Sequence, residues 1–102
     1  MVAHFLKRWE MKPDMQLLLR SAATHKAAAK RMHDVFELQL VPYIKQYCVM
    51  KNAEQCAALI GTQMIGLAYL RYVVKFPELT AMPHGFIEQK IGATIQAYLD
   101  MR

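Results

Sequence analysis

Any chemistry in this chain has to come from four histidines, two cysteines and a scatter of carboxylates. The histidines are His4, His25, His33 and His84, and no two of them are three or four residues apart. His33 and Glu37 do stand at i and i+4, where a helix would place them on one face and offer two ligands to a metal ion. A zinc site needs three or four ligands, so the pair reads as a surface ion pair. Cys48 and Cys56 straddle a helix break without CxxC spacing, and they read as small apolar residues rather than a redox or zinc pair. Asp14, Asp34, Glu37, Glu54, Glu78, Glu88 and Asp100 are spread over helix ends and polar faces. No Gly-rich phosphate loop, nucleophile elbow or zincin motif occurs. The expectation is no catalytic residue, no metal, no cofactor and no enzyme. A reading as a small-molecule-modifying enzyme would require turnover that depends on His33 or Glu37.

Binding is the better-supported chemistry. Trp9, Met15, Met32, Phe36, Tyr43, Met64 and Tyr72 could line a cavity among helices, and Gln39 and Gln63 fall on otherwise apolar faces where a side-chain amide needs a partner. Ligand pockets are mostly apolar with a few placed polar groups, and methionine lends them plasticity. The competing reading is ordinary core filler, since aromatic and Met stripes at helical spacing usually serve packing.

The elements that must position these residues are helices. Ala, Met, Leu, Gln and Lys dominate the 102 residues, Gly and Pro number four each, and no strand-like alternation of Val, Ile and Thr appears. A single all-α domain covering residues 1–102 is predicted. Its apolar share of 55% exceeds the usual 45–50% of soluble domains, which points to an apolar surface covered by association. The net charge of +5 is densest at Lys7, Arg8, Lys26, Lys30 and Arg31. Asp34 and Glu37 dilute it and no aromatic residues interleave, so a solvated helix face explains it better than a nucleic-acid surface. Two cysteines make no disulfide framework, and MVAHFLKRWE lacks a signal-peptide layout, so a reducing cytoplasm is expected.

Five helical segments are predicted. The first runs Val2–Glu10, with Phe5, Leu6 and Trp9 on one side. The second runs from Pro13 to about Ala23, with Met15, Leu18, Leu19 and Ala22 inward. The third begins near Thr24 or His25 and continues to about Tyr47, with Ala28, Met32, Val35/Phe36, Gln39/Leu40, Tyr43 and Tyr47 recurring at helical spacing. Pro42 should kink this helix or leave a carbonyl near Leu38 unpaired. The fourth, Asn52–Phe76, is about 25 residues and roughly 37 Å long, capped by Asn52 and closed by Lys75 and Pro77. After a loop at Pro77–Pro83, the fifth covers His84–Met101, with Ile87, Ile91, Thr94/Ile95 and Tyr98 on its main face.

The fourth helix is apolar on nearly every side. Such a helix lies in a large core or crosses a membrane. Thr62, Gln63 and Arg71 argue against a span, because Arg near a bilayer centre costs roughly 2.5–3.5 kcal/mol. Ala57, Gly61 and Gly66, with Ala58 and Ala68 beside them, suggest close helix approach instead. A chain this short cannot wrap such a helix completely, so a second copy of the chain is the expected cover.

Leu17-Leu18-Leu19-Arg20-Ser21-Ala22, then His25-Lys26-Ala27-Ala28, and above all Gln63 with Gly66-Leu67-Ala68-Tyr69-Leu70-Arg71-Tyr72, resemble the C-terminal regulatory half of tetracycline-repressor-like (TetR) transcription factors. Pro77-Glu78-Leu79 and Ile95-Gln96-Ala97-Tyr98-Leu99 fit the same pattern. The resemblance implies an effector-binding domain that dimerises through its last two long helices as a four-helix bundle. Here those helices are Asn52–Phe76 and His84–Met101, with Ala57, Ile60, Gly61, Leu67, Arg71, Ile87, Ile91, Ile95 and Tyr98 at the interface. The implied partners are a second copy and a small apolar or amphipathic effector, with DNA reached only through an N-terminal helix-turn-helix domain. The sequence begins after the point where that domain would end, so these residues alone are not expected to bind DNA specifically. The rival expectation is a ligand-free helical dimerisation or interaction domain.

Overall fold

Every regular element among the described residues is helical. The computed structural model describes residues 2–11, 13–49 and 51–102, leaving aside the side chains of Trp9, Met11, Pro13 and Asp14. In chain order the helices are α1 (Val2–Met11), α2 (Pro13–Ala22), α3 (Lys26–Val35), α4 (Val41–Lys45), α5 (Ala53–Ala68), α6 (Pro77–Thr80) and α7 (His84–Asp100). Two wider π-helical turns interrupt them. Phe36–Leu40 joins α3 directly to α4, and Tyr69–Val73 prolongs α5. The stretch expected as a plain loop at Pro77–Pro83 contains α6, for which Pro77 supplies a first-turn residue that needs no N–H partner.

α5 is the core helix. Asn52 caps it, its side-chain oxygen accepting from the Gln55 N–H at 3.0 Å, and Ala53, Cys56, Ala57, Ile60, Met64, Leu67 and Ala68 are buried along it. Against this face pack Val2 and Leu6 of α1, Leu19 of α2, Val41 and Ile44 of α4, and Ile87, Ile95 and Leu99 of α7. By length and composition Ala53–Val73 could cross a bilayer, but here its inner face is the centre of the protein's own hydrophobic cluster. The rod ends at Lys75, whose left-handed φ of 62° turns the chain out of the helix one residue before Phe76.

The third rod departs from its predicted face for a definite reason. In the first π turn the Val41 N–H reaches back to the Phe36 carbonyl, so the turn holds one residue more than an α-turn. Pro42, which has no N–H to continue the ordinary ladder, follows at once in the first turn of α4. The extra residue advances the inward face by one position. Met32 and Phe36 remain half-buried, but beyond them Leu40, Val41, Ile44 and Cys48 point inward, while Gln39, Tyr43 and Tyr47 are exposed.

The protein measures 35 × 34 × 19 Å between its outermost Cα atoms. A depth of 19 Å admits about two helix layers, so each long helix has one face turned outward. On α5 and the π turn that prolongs it, that face carries Ala58, Leu59, Thr62 and Tyr69, with Leu59 38% and Tyr69 44% exposed. A Cβ added at Gly66 would meet nothing within 4 Å, and one at Gly61 would meet only Leu40 Cδ2 at 3.9 Å. Within one chain, then, neither glycine is required by a close approach.

Candidate functional site

The C-terminal end of α1, the π turn that extends α5, the α6 loop and the start of α7 meet at Glu10. Tyr72 donates its hydroxyl to Glu10 Oε1 at 2.9 Å and lies 3.5 Å from the Leu6 carbonyl. His84 Nε2 sits 2.8 Å from the same carboxylate oxygen, and Arg71 approaches it at 3.8 Å. Arg71 is only 8% exposed. Its guanidinium also donates to the Leu79 carbonyl and, at 3.0 Å, to the Met82 carbonyl, which holds the α6 loop against the core. A buried cation is tolerated only when its donors are matched in this way.

Burial raises the Glu10 carboxyl, but hydrogen bonds from Tyr72 and His84 and the charges of His84 and Arg71 outweigh it, leaving the group below its ordinary range. Tyr72 is pushed up to about 12, first by burial and then by its bond to the Glu10 carboxylate. Beside this cluster opens a cleft of about 320 Å³ lined by Glu10, Gln16, Arg71, Tyr72, Lys75 and Thr80. A second open cleft of about 370 Å³ lies between α1, α4 and α7, with Val2, Tyr43, Tyr47, Glu88, Gly92 and Gln96 among its walls.

The structure does not gather the residues expected to bind ligand around one chamber. Met64 and Tyr72 are buried in the core, and Met15, Met32 and Phe36 pack half-buried against it. Gln63 is half-buried, whereas Gln39 and Tyr43 are exposed because the π turn rotates them outward. Tyr72 lines the polar cleft and Tyr43 the other one. The side chain of Trp9 lies outside the described residues. Of the residues expected at a pairing face, Ala57, Ile60, Leu67, Arg71, Ile87 and Ile95 are buried in their own chain, and Gly61, Ile91 and Tyr98 are half-buried. Arg71 is occupied by internal carbonyls.

Sequence reasoning missed Glu10 and the role of His84, which lie 74 positions apart. The only available signal was a lone acid at the end of a short apolar helix. His33 and Glu37 form an exposed ion pair at 3.6 Å. Among the described residues no three His, Cys, Asp or Glu side chains come together as metal ligands.

A helical domain of this length, with a long central helix and a terminal helix packed beside it, can be compared with known families. The family model described as "Tetracyclin repressor-like, C-terminal domain" matches residues 1–99. The chain belongs to this family. Comparison with curated proteins and with solved structures gives no match. Membership assigns the chain to the regulatory domains of transcription regulators, a class that is generally non-enzymatic.

Proposed function

We propose that this domain is the small-molecule-sensing and homodimerisation module of a tetracyclin repressor-like regulator. It works in the cytoplasm, and DNA reading belongs to a helix-turn-helix half outside these residues. In this reading the outward faces of α5 and α7 pair with those of a second copy to form a four-helix bundle about a two-fold axis. The observation that carries the proposal is surface left uncovered. The chain exposes 6795 Å², whereas a compact monomer of 11.8 kDa is expected to expose about 5,900 Å². Leu59, Thr62, Gly66 and Tyr69 recur at helical spacing on the side of α5 opposite its buried face, which gives the second copy a suitable rod. The residues first expected there are mostly used internally, so the proposed pairing face lies on the opposite side of the helix from them.

An amphipathic effector is proposed for the cleft beside Glu10, where Gln16, Lys75 and Thr80 add polar groups to the flank of the core. Occupancy would change how α1 is held and so bias the arrangement of a DNA-reading half attached to it. Only a ligand with different affinities for the two arrangements would regulate. Sedimentation velocity on the wild type and on Leu59→Arg tests the pairing. A wild-type dimer and a folded monomeric variant are expected, and a folded wild-type monomer at micromolar concentration would overturn the proposal. A second reading, a ligand-free dimerisation domain, is favoured by the openness of both clefts. A ligand-induced melting shift that Gln16→Ala abolishes would decide against it.

A further inference from the structure

The two cysteines are eight positions apart on different elements, yet the fold brings them together. Cys56 lies in the first turns of α5 and is fully buried, while Cys48, just beyond α4, is only half-buried. Both are fixed against the last turn of α7. The Cys56 thiol donates to the Tyr98 carbonyl at 3.5 Å, and the N–H of Val49, next to Cys48, donates to the Leu99 carbonyl at 3.0 Å. Cys48 is near enough to Cys56 to act on its thiol, and its side chain packs against the same hydrophobic core that buries Cys56. Cys48 reaches this position because the π turn advances the inward face of its rod. Ordinary helical spacing from Phe36 would have pointed Tyr47 inward and Cys48 aside.

We infer that Cys48 and Cys56 are an oxidative modification site, closing to an intramolecular disulfide on exposure to a peroxide and reopening with a thiol reductant. The half-buried Cys48 is the group a peroxide can reach. Its thiolate attacks one peroxide oxygen, the O–O bond breaks, and the other oxygen leaves as hydroxide or alkoxide and takes up a proton. Cys48 becomes a sulfenic acid. The Cys56 sulfur then attacks the Cys48 sulfur and gives up its proton, and the sulfenic hydroxyl departs as water. Two thiols are oxidised by two electrons and one peroxide is reduced by two. The raised ionisation of Cys56, caused by burial and then by its neighbour Cys48, suits it to the second, resolving step, because thiolate character governs which sulfur reacts first. The reaction does not depend on the sensor reading above.

Hydrogen peroxide added to the purified full chain tests the site. Trypsin cleaves after Lys51, between the two cysteines, so the disulfide appears as peptides 46–51 and 52–71 joined, with the intact mass lower by two hydrogens. Dithiothreitol restores both free thiols. Cys48→Ser should leave Cys56 unoxidised at the same dose, with the helical circular dichroism unchanged. Oxygen added to Cys48 while Cys56 stays a free thiol would overturn the inference, as would cross-linking only between chains on a non-reducing gel.

Discussion

Tyr72 and Glu10 are joined at 2.9 Å, hydroxyl to carboxylate, across 62 positions of sequence. This bond fastens the end of the first helix to the extension of the core helix. Arg71 and His84 converge on the same carboxylate oxygen, so three segments share one polar knot, and the bonds of Arg71 to the Leu79 and Met82 carbonyls tie in the α6 loop as a fourth.

Tyr72→Phe removes the donor to Glu10 and keeps the ring in place. A loss of about 1 kcal/mol is expected, read from urea denaturation. The tyrosine also sets an alkaline limit. Its ionisation is raised in the folded state, from 10.0 to about 12, so its contribution is present below pH 10.0 and is lost as pH rises towards 12. The phenylalanine variant should lack that part of the alkaline decline.

Glu10→Gln tests the acid side. The folded carboxyl ionises below 4.5, so its stabilisation is present above the unfolded value and fades as pH falls through the folded one. The stability difference between wild type and variant should therefore shrink in acid. A difference that stays constant from neutral pH to pH 3 would contradict the charge-based account.

Arg71→Ala leaves the carbonyls of Leu79 and Met82 without their donor and Glu10 without its buried countercharge. A loss of roughly 2–4 kcal/mol is expected by chemical denaturation. Arg71→Lys should recover only part of it, since an ammonium cannot span the two carbonyls as a guanidinium fork does.

The register of the third rod is tested by neighbouring alanines. Ile44→Ala should cost about 2–5 kcal/mol, because Ile44 is wholly buried. Gln39→Ala should lie within ±0.5 kcal/mol, as substitutions at the surface usually do. The reverse ranking would mean that the helix runs straight through Phe36–Leu40.

Gly66→Ala separates a lone chain from a paired one. With nothing within 4 Å of the added methyl, an isolated chain should gain up to ~1 kcal/mol from the better helix former. A partner helix packed over Gly66 would be pushed away, and the variant would then dissociate at higher protein concentration than the wild type in sedimentation.

Helix positions were legible in the sequence wherever a single local rule governed them. Asn52 as cap, Pro13 at a helix start and Lys75 with Pro77 at a helix end all follow from one residue's backbone chemistry. The inward faces of α2 and α7 followed from spacing at Leu19, Ile87 and Ile95. Spacing failed at Gln39, Tyr43 and Tyr47 because it assumes 3.6 residues per turn throughout, and the wide turn before Pro42 breaks that assumption. The Glu10 cluster was hidden for another reason. Its members come from four segments and carry no periodicity, so only tertiary packing brings them together. Arg71 stood out as an apolar-helix charge and drew an intermolecular reading, whereas within the chain it holds Glu10 and two backbone carbonyls, and carbonyls leave no trace in residue types.

The shallow depth of the molecule, 19 Å against 34 and 35 Å in the other directions, bears on how a signal could travel. Anything wedged between its sheets of rods presses on a wall whose far side is already the exterior, so occupancy within would be felt without any long relay.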